Sequence, residues 1–389
     1  MKKNLFAEKT NAKYLLVRVV CALLVCLLLA GCSGGSGADA PDGLESAESS
    51  TSSRTSGSAE GFTVTKTEQR DPLVKKPEFD KADAVNGFYA NKVDADFSGL
   101  VGLFEGKNVQ YTMKSTSIGG SLNMHFADFL QVGDQIWAYY IKWEKYGEQD
   151  KGCIALAKSD DGIQFTDCGT VLHASDSGWD SRMASFPGVW YEDSTYYLVY
   201  EGAGDNNGAI GLATSKDGVN FEKYGEDGMI LNYSGEGHEA VNIGTPDLVR
   251  INGIWYLTYH SYDGLDCQLC IAYGTDLANL KKYEHNPVIP TSRSGSDSGT
   301  VGRRDLIYYD GWFYMVYEIS SDPPYETAKW GHKFARSKDL SNWEMVDSPY
   351  PITSKGMGND GPAFAVLNGR LWVYYRESGN VLGRYTLII

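Results

Sequence analysis

The clearest pattern along the chain is a sixteen-residue unit that occurs five times. Each copy has a polar entry, a short apolar run, a turn, and an aromatic run that ends in tyrosine. The copies cover residues 125–140, 185–200, 244–259, 302–317 and 360–375. Successive closing tyrosines are therefore 58 to 60 residues apart. A fixed period of this length indicates a repeat architecture, in which each copy is one unit of local structure.

Two columns of aromatic residues accompany the five copies. The closing column is Tyr140, Tyr200, Tyr259, Tyr317 and Tyr375, and three positions earlier stand Trp137, Tyr197, Tyr256, Tyr314 and Trp372. Side chains three positions apart on a β-strand point to opposite faces of the sheet. Both faces are therefore apolar, and such a sheet must be covered on both sides. This arrangement is typical of a propeller blade, which packs between two neighbouring blades.

A third and a fourth strand are predicted after each aromatic pair. Apolar runs joined by hairpin-turn residues mark them at 153–165, 209–221, 271–280 and 333–344. The fifth copy ends with 381–389 as its third strand, and we expect 108–115 to supply its fourth, which leaves no open sheet edge. We therefore predict an all-β fold, a single five-bladed β-propeller of four-stranded blades over residues 85–389, closed by this N-terminal strand.

The N-terminus has the pattern of an export signal. Basic residues precede an apolar run at 19–31, which is short for a bilayer span and ends in small residues. Leu29-Ala30-Gly31-Cys32 resembles the bacterial lipobox, in which cleavage leaves the cysteine as a lipid-bearing N-terminus. We expect a signal peptide at 1–31, lipidation at Cys32 and a flexible Ser/Gly-rich tether over 32–84. The alternative is an uncleaved membrane anchor, and both place the domain outside the cell, on the membrane or envelope.

The charge of the chain excludes one class of partner. The formal net charge is −15, and the first 31 residues contribute +4, so the remainder carries −19. An acidic surface repels phosphate backbones, so we expect no nucleic-acid partner. We expect a monomer that is held at the membrane by its lipid anchor and acts on an oligo- or polysaccharide.

Four cysteines remain beyond Cys32. Cys153 and Cys168 flank the turn at 159–162 symmetrically, which predicts a disulfide between direct cross-strand neighbours in an exported protein. Cys267 and Cys270 form a C-x-x-C pair, but no second pair stands at a zinc-ligand spacing. We therefore favour a structural or local redox role for that pair.

Charged and polar residues gather at one end of the repeat, before the first strand of each copy or directly after the closing tyrosine. The first zone contains His125, Asp180, Arg182, Glu239, Arg303, Arg304 and Asp360, and the second contains Glu201, His260 and Glu318. In a propeller blade both zones lie at the mouth of the central channel. The pattern predicts a pocket there, with Trp179 beside it as a ring that could stack on a sugar.

A column of carboxylates stands two or three residues into the first strand, at Asp128, Asp247 and Asp305. Residues in the same register point the same way, so the three side chains are expected to converge on the channel axis. Repelling carboxylates need a cation or protons to coexist at short distance. The alternatives are a calcium ion in the channel and a role in capping backbone N–H groups of their own loops.

The repeat resembles the propeller glycosidases of glycoside hydrolase family 43 and the related families 32, 117 and 130. The resemblance is carried by the length of the blades and by the unit GTPDLVRINGIWYLTY at 244–259, and it covers about three quarters of the chain. Family 43 places a catalytic carboxylate immediately before a proline in each of its first three blades. Those positions are Phe126, Phe186 and Thr245 in this sequence, so the usual triad is absent.

The resemblance implies cleavage of a glycosidic bond by a pair of carboxyl groups, without a required cofactor. Because the usual catalytic positions carry no carboxylate, we predict that the catalytic carboxylates come from Asp180, Glu239, Asp360 and Asp128. The predicted substrate-binding residues are His125, Trp179, Arg182, Glu201, His260, Arg303, Arg304 and Glu318. Two alternatives stay open: a non-catalytic glycan-binding lipoprotein, and a metal-assisted carbohydrate deacetylase that uses Asp128, Asp247 and Asp305 with His125.

Overall fold

A computed structural model describes the part of the chain that contains the five repeats. The described residues are 62–77, 95–124, 126–204, 208–291, 300–321, 328–348, 354–355, 359–377 and 381–389. They belong to one compact unit that begins at Gly61. The predicted signal peptide, Cys32 and His125 lie outside the described residues. Within these ranges, no helix has both the length and the apolar character needed to cross a bilayer.

The described chain is almost entirely β-structure, with a single α-helix in these ranges, α1 (Ser98–Phe104). In chain order the strands are β1 (Thr65–Lys66), β2 (Gln110–Ile118), β3 (Asp128–Val132), β4 (Gln135–Tyr146), β5 (Gln149–Ser159), β6 (Thr166–Leu172), β7 (Met183–Glu192), β8 (Thr195–Ala203), β9 (Ala209–Ser215), β10 (Glu222–Lys223), β11 (Met229–Leu231), β12 (Asn242–Ile251), β13 (Ile254–Tyr262), β14 (Cys267–Gly274), β15 (Lys281–Lys282), β16 (Thr300–Tyr309), β17 (Trp312–Ser320), β18 (Lys329–Ser337), β19 (Trp343–Asp347), β20 (Ser354–Lys355), β21 (Asp360–Leu367), β22 (Arg370–Arg376) and β23 (Leu382–Ile388). The all-β class predicted from the sequence is confirmed.

Each sixteen-residue unit forms an antiparallel hairpin. The hairpins are β3–β4, β7–β8, β12–β13, β16–β17 and β21–β22. The second strand of each pairs with a third antiparallel strand, which is β5, β9, β14, β18 or β23. Short parallel bridges join β5 to β7 and β14 to β16, so the strands fall into three open sheets of ten, nine and four strands.

We call each hairpin, together with the strands that follow it, a group of strands. The last group, β21–β22 with β23, is completed from the N-terminal side. β2 pairs antiparallel with β23, with Gln110 opposite Ile388 and Thr112 opposite Thr386. This is the pairing predicted for residues 108–115. The missing fourth strand of the C-terminal group is therefore present, although it lies far away in sequence.

The first and last groups also contact each other directly. The Phe129 and Tyr374 rings lie 4.3 Å apart, and the Tyr374 hydroxyl donates a 2.8 Å hydrogen bond to the Gly162 carbonyl. An equivalent bond of 2.8 Å joins Tyr139 of the first group to Gly218 of the second. A Cβ on Gly162 would lie 2.5 Å from the Tyr374 hydroxyl, so this close contact requires glycine. The same inter-group contact thus recurs between neighbours and between the two ends of the series.

The first strand of each hairpin has an irregular entry. Phe126, Phe186, Thr245 and Gly361, which share one register, have φ values of 50°, 51°, 43° and 55°. The pairing of β7 with β8, β12 with β13 and β21 with β22 shifts register at this point. Positive φ is unfavourable for side chains such as Phe and Thr, and a bulge redirects the side chains around it. The fold therefore repeats one strained entry bulge at the same end of several hairpins.

Part of the predicted tether is folded. Thr65 pairs with Met345 on β19, Val74 is buried, and the Arg70 N–H donates a 2.6 Å hydrogen bond to Asn342. The described residues 62–77 therefore lie against the fourth group of strands and do not form a free linker. The β-branched run Thr63-Val64-Thr65 has the composition of an edge strand, which the Ser- and Gly-rich residues before it obscured.

The predicted disulfide between Cys153 and Cys168 is absent. Both thiols are free, with Cys153 buried and Cys168 exposed. The strands pair Lys158 with Thr166 and Ala157 with Asp167, so the turn is centred on Gly162 and Cys153 would lie opposite Val171 even in a regular hairpin. Two register shifts further along, at Ala155 and Ile154, move the two cysteines still further apart.

Candidate functional site

The entry bulges and the ends of the neighbouring second strands form what we call the mouth cluster: Phe126, Phe186, Glu201, Thr245, His260, Arg303, Arg304, Glu318, Gly361 and Arg376. Several of its side chains are almost buried but retain some contact with solvent. The exposed fraction is 9% for Phe186 and His260, 8% for Thr245, and 7% for Glu201 and Glu318. The sequence had placed five of these ten residues in the two polar zones: Glu201, His260, Arg303, Arg304 and Glu318.

Glu201 is held by the entry bulge of the next hairpin. Its Oε2 accepts a 2.8 Å hydrogen bond from the Thr245 N–H, and its Oε1 has no partner among the described residues. Burial raises the pKa of Glu201 to about 7, against weaker lowering by that N–H group and by Arg304. A carboxyl group in this state is half protonated near neutral pH, which suits a proton donor.

His260 lies beside Glu201 at the end of β13. Its Nδ1 is 2.8 Å from the Thr245 hydroxyl oxygen, and that oxygen accepts a 3.1 Å hydrogen bond from Arg304. The arginine always donates, so the Thr245 hydroxyl is free to donate its own proton to Nδ1. Burial lowers the pKa of His260 to about 3, so the ring is neutral. This arrangement leaves the ring proton on Nε2, which becomes a hydrogen-bond donor.

A glycine permits these two side chains to approach each other. A Cβ on Gly244 would lie 2.0 Å from Oε2 of Glu201 and 2.8 Å from Cε1 of His260. Both distances are shorter than any real side chain tolerates. The glycine immediately before Thr245 is therefore required for the carboxyl group and the imidazole to lie side by side.

Glu318 occupies on β17 the position that Glu201 occupies on β8. Its Oε2 accepts a 3.0 Å hydrogen bond from the Gly361 N–H, at the entry bulge of β21. Burial and the nearby Asp360 raise the pKa of Glu318 to about 8. Glu201 and Glu318 therefore make the same contact in two hairpins. Each carboxyl group accepts a hydrogen bond from the backbone N–H of a residue with positive φ in the following hairpin.

The other side of the mouth cluster is apolar. The rings of Phe126 and Phe186 meet edge to face at 4.9 Å, and the Arg376 guanidinium lies 4.7 Å from the Phe126 ring. These two positions are the ones at which family 43 carries acidic residues. The structure therefore has a pair of aromatic rings at the two positions for which the resemblance implied acidic residues.

The two neighbouring arginines bind backbone. Arg303 donates to the carbonyls of Pro187 at 3.2 Å and Ala127 at 2.9 Å, and Arg304 donates to that of Thr245 at 2.8 Å. Both side chains are buried. The arginines thereby hold the entry bulges in place, and contact of either with a substrate stays a prediction.

Three of the predicted catalytic carboxylates are buried and have polar or charged partners. Asp180 accepts hydrogen bonds from Tyr200 at 3.0 Å and Lys223 at 2.5 Å. Glu239 accepts one from Tyr259 at 2.8 Å and pairs with Lys282. In both hairpins the closing tyrosine binds a carboxylate, and a lysine from the outer strand neutralises it.

Asp360 forms a third buried ion pair. Its Oδ1 accepts a 2.8 Å hydrogen bond from Nε of Arg376, and its Oδ2 contacts Nη2 of the same guanidinium. Both side chains are buried. These contacts give Asp180, Glu239 and Asp360 clear structural roles, and their catalytic roles stay predictions.

Two predicted binding residues near Asp180 are also engaged. The Trp179 indole N–H donates to the Asp227 carbonyl at 2.9 Å, and its ring stacks on Tyr200 with centroids 5.7 Å apart. Arg182 is half-buried, and its backbone N–H bonds to the Ala203 carbonyl at 2.9 Å. Neither residue is brought into the mouth cluster by a contact in the described structure.

The three aspartates of the channel column do converge. Asp128, Asp247 and Asp305 line one cavity of about 30 Å³, which is room for one or two water molecules or an ion. Burial, followed for Asp247 and Asp305 by repulsion from Asp128, raises the pKa of all three. The three side chains therefore line one cavity, and their position on a channel axis stays a prediction.

The column binds backbone N–H groups of the next hairpin as well as of its own strands. Asp128 accepts a 2.6 Å hydrogen bond from the Val189 N–H, and Asp305 accepts one of 2.6 Å from Phe364, so both bind the next hairpin. Asp128 also accepts a local hydrogen bond from the Phe129 N–H. Asp247 binds locally, to Leu248 at 2.8 Å, and its Oδ2 is buried without a partner among the described residues. An unpaired buried carboxylate oxygen is one that a cation or proton could satisfy.

Sequence reasoning missed the lysine partners and the role of Thr245. Lys223 and Lys282 stand on the short outer strands β10 and β15, where the repeat is least regular. A signal was present, because both lysines follow their closing tyrosine by 23 residues. Thr245 had been considered only as an empty catalytic position, although its backbone N–H and hydroxyl organise Glu201 and His260.

Comparisons with known proteins identify the fold. No family model matches the chain. A segment covering 27% of the chain is 24% identical to beta-1,2-mannobiose phosphorylase of Thermoanaerobacter sp. (strain X514), and it spans only 39% of that protein's length.

Solved structures match over most of the chain. A glycoside hydrolase superposes with a TM-score of 0.57 at 17% identity, covering 75% of this chain and 95% of that one. Beta-1,2-mannobiose phosphorylase from Listeria innocua gives 0.54 at 14% identity, with 72% and 96% covered. A thermostable family-43 glycoside hydrolase gives 0.52 at 16% identity, with 69% and 90% covered. The chain therefore has the fold shared by the propeller glycosidases and this phosphorylase.

Proposed function

We propose that the protein is a carbohydrate-active enzyme that cleaves a glycosidic bond at the mouth cluster, with Glu201 as the proton donor. The observation that carries this proposal is that Glu201 is a nearly buried carboxyl group whose pKa is raised to about 7 and whose Oε1 has no hydrogen-bond partner among the described residues. The fold supports it, because the similar solved structures include a glycoside hydrolase and a phosphorylase in complex with beta-1,2-mannobiose.

The residues around Glu201 define how the step would proceed. The Thr245 N–H fixes Oε2, so Oε1 is the oxygen that carries the proton toward the departing sugar oxygen. The neutral His260 donates from Nε2 to a second substrate oxygen, and Thr245 and Arg304 hold its ring. Loss of the proton makes Glu201 an anion, which the neighbouring Arg304 stabilises.

The attacking group distinguishes two reactions. Inverting hydrolysis needs a second carboxylate, ionised and about 6.5–9.5 Å from the acid, to activate water. Glu318 is the equivalent side chain on β17, but its pKa of about 8 makes it a weak base candidate at neutral pH. Hydrolysis by this pair would use the minor form in which Glu201 is protonated while Glu318 is ionised, and that form is most populated between pH 7 and pH 8.

The second candidate function is phosphorolysis. Inorganic phosphate attacks as an anion and needs no carboxylate base, which agrees with the aromatic rings of Phe126 and Phe186 at two acidic positions of family 43. The segment similar to a mannobiose phosphorylase favours the same reaction. Both candidates use Glu201 in the same role.

The remaining parts of the proposal concern the whole chain. We propose a ring of five blades, supported by the five equivalent hairpins and by the contacts of Tyr374 and β2 that join the two ends of the series. We also propose cleavage before Cys32, lipid anchoring to the bacterial membrane or envelope, an extracellular location and a monomeric domain, all from the sequence pattern. No cofactor is required for the step at Glu201, and a calcium ion at Asp128, Asp247 and Asp305 would be structural.

The test is a panel of oligosaccharides and chromogenic glycosides, incubated with the purified protein with and without inorganic phosphate. Products are resolved by chromatography, so a sugar phosphate identifies phosphorolysis and a free sugar identifies hydrolysis. Glu201→Gln should lower turnover by about 10²–10⁴-fold. The matched control Glu226→Gln changes an exposed carboxylate and should leave turnover unchanged. Glycan binding without any product would show that the protein is a receptor and not an enzyme. Full turnover by Glu201→Gln would show that Glu201 is not the proton donor.

A further inference from the structure

A second group of reactive side chains lies away from the mouth cluster, on the first group of strands. Glu144 is on β4, Cys153 is on β5, and His173 directly follows β6. One ligand atom from each, a carboxylate oxygen, the sulfur and a ring nitrogen, lies within 4.8 Å of the other two. No part of the proposed reaction uses these residues.

Strand register explains why the three side chains meet. Cys153 lies opposite Lys142, and Glu144 is two residues further along β4, so Cys153 and Glu144 share one face of the sheet. Ile154 lies opposite Leu172, which brings His173 next to Cys153 on that same face. The three residues are 9 and 20 positions apart in sequence, so no local motif reveals them.

The carboxylate and the imidazole are already oriented toward each other. Oε2 of Glu144 is 3.4 Å from Nδ1 of His173, and Oε1 of Glu144 accepts a hydrogen bond from the Thr170 hydroxyl. The Tyr146 hydroxyl lies 2.7 Å from the same Nδ1 and 3.3 Å from Oε2. A hydrogen bond that holds the second oxygen of a ligating carboxylate is the kind of support found around metal sites.

The lysines near the site are bound to other groups. Lys151 lies opposite Glu144 and 5.2 Å from the Tyr146 ring, but its ammonium group donates to the Ser175 carbonyl at 2.8 Å. Lys142 and Lys145 pair with Asp167 at 3.6 Å and Asp150 at 2.8 Å. The Cys153 sulfur is buried at the base of the group, whereas the His173 side chain is 56% exposed, so solvent reaches one side.

We propose that Glu144, Cys153 and His173 bind a zinc ion, with the Tyr146 hydroxyl or a water molecule in the fourth position. Thiolate sulfur, imidazole nitrogen and carboxylate oxygen are the three ligand types that zinc accepts, whereas calcium and magnesium prefer oxygen alone. Binding releases the proton of the Cys153 thiol to solvent, uses Glu144 as its carboxylate, and requires His173 to be neutral with Nδ1 free to coordinate.

Zinc at this position would tie together three strands. β4 has 12 residues and β5 has 11, whereas the equivalent strands β8 and β9 have 9 and 7. The extra length forms a hairpin that extends past Tyr140, and Glu144 and Cys153 both lie on it. A metal bond to His173, beyond β6, would fix that hairpin to the outer strand.

The experiment measures metal binding by the purified, chelator-treated protein. Zinc is titrated in competition with a chromophoric chelator, and cobalt(II) is used as a spectroscopic probe because it gives a charge-transfer band with thiolate. We expect one zinc per chain, a cobalt–thiolate band, and a rise in the melting temperature with added zinc. Cys153→Ala and His173→Ala should each weaken zinc binding by at least 100-fold and abolish the thermal shift. The matched controls Cys168→Ala and His285→Ala remove an exposed thiol and an exposed imidazole outside the group and should bind zinc like the unmodified protein.

Several results would overturn the proposal. They are the absence of a stoichiometric zinc in the unmodified protein, a cobalt complex without the thiolate band, and wild-type affinity in Cys153→Ala. If Cys153→Ala does not fold, the zinc affinity of His173→Ala still tests the site, because His173 is half exposed and its replacement removes no core packing. Wild-type affinity in His173→Ala would then exclude the site. None of these readouts depends on glycoside turnover, so the zinc site and the proposed function fail or succeed separately.

Discussion

The protonation state of Glu201 can be tested through stability, without knowing the substrate. The perturbation is Glu201→Gln, which removes the titration but retains an oxygen that can accept the hydrogen bond from the Thr245 N–H. A glutamine resembles the protonated form of the side chain. The comparison of the variant with the unmodified protein therefore isolates the free energy of placing a charge at this position.

The magnitude follows from the pKa. The ordinary value is 4.5 and the folded value is about 7, a difference of about 2.5 units. At 1.36 kcal/mol per unit this amounts to about 3 kcal/mol. The folded pKa is raised, so the folded state binds more protons than the unfolded state between these two pH values. The contribution of Glu201 to stability is thus fully present below pH 4.5 and is lost as the pH rises through 7.

The assay is urea unfolding followed by tryptophan fluorescence at pH 5, 6, 7 and 8. Other buried carboxyl groups titrate in this range, so the quantity to compare is the difference in unfolding free energy between the two proteins at each pH. We expect Glu201→Gln to gain about 2.5 kcal/mol relative to the unmodified protein between pH 5 and pH 8. Most of this gain should appear between pH 5 and pH 7, because above pH 7 Glu201 is ionised in the folded state as well as in the unfolded state.

A difference that stays constant from pH 5 to pH 8 would refute the reasoning. It would show that Glu201 ionises at an ordinary pKa in the folded protein, and a carboxyl group that is fully ionised at neutral pH is not the proton donor. Glu226→Gln is the control, because an exposed carboxylate should give a pH-independent difference near zero.

Three further predictions follow from the described contacts. Asp360→Asn should lower the unfolding free energy by about 3–5 kcal/mol, because it leaves the buried Arg376 unpaired. Asp347→Asn, which changes an exposed carboxylate paired with Lys333, should lower it by less than about 1 kcal/mol. Equal losses of unfolding free energy in urea would contradict this prediction. Gly244→Ala should lower turnover at least tenfold, because the added Cβ would displace Glu201 and His260. Circular dichroism should show that the variant is folded. An unchanged kcat would argue against the mouth cluster as the active site. Calcium should raise the melting temperature of the unmodified protein but not of Asp247→Asn. An equal rise in the two proteins would show that calcium does not bind at Asp128, Asp247 and Asp305.

The strand order was predictable because its signals are local and repeated. The aromatic columns that end at Tyr140 and its four equivalents fix which residues form the second strand, and turn residues mark each hairpin. Even the distant pairing of β2 with β23 followed from the repeat, because the fifth copy lacked one strand. Repetition provides several independent observations of the same element, so an irregularity in one copy does not obscure the rest.

The chemistry of the mouth cluster was harder to predict because it depends on backbone irregularities. The left-handed residues Phe126, Phe186 and Thr245 leave no mark on the alternation of polar and apolar positions. The absent disulfide has a related cause, because the turn is centred on Gly162 and the pairing shifts register beyond it, and the spacing of Cys153 and Cys168 reveals neither feature. Polarity alone identified Glu201 and His260 as candidates. It could not show that Asp180 and Glu239, which have the same polarity, are neutralised by lysines.

The pairing of β2 with β23 has a consequence for how the chain is made. Ile118 and Leu382 are partners although 264 positions separate them (382 − 118). During synthesis β2 is present early but has no partner until residues 382–388 have been added. Until then the amide edge of this strand is not covered by its partner. We therefore expect nascent chains that stop before residue 381 to be targets for proteolysis.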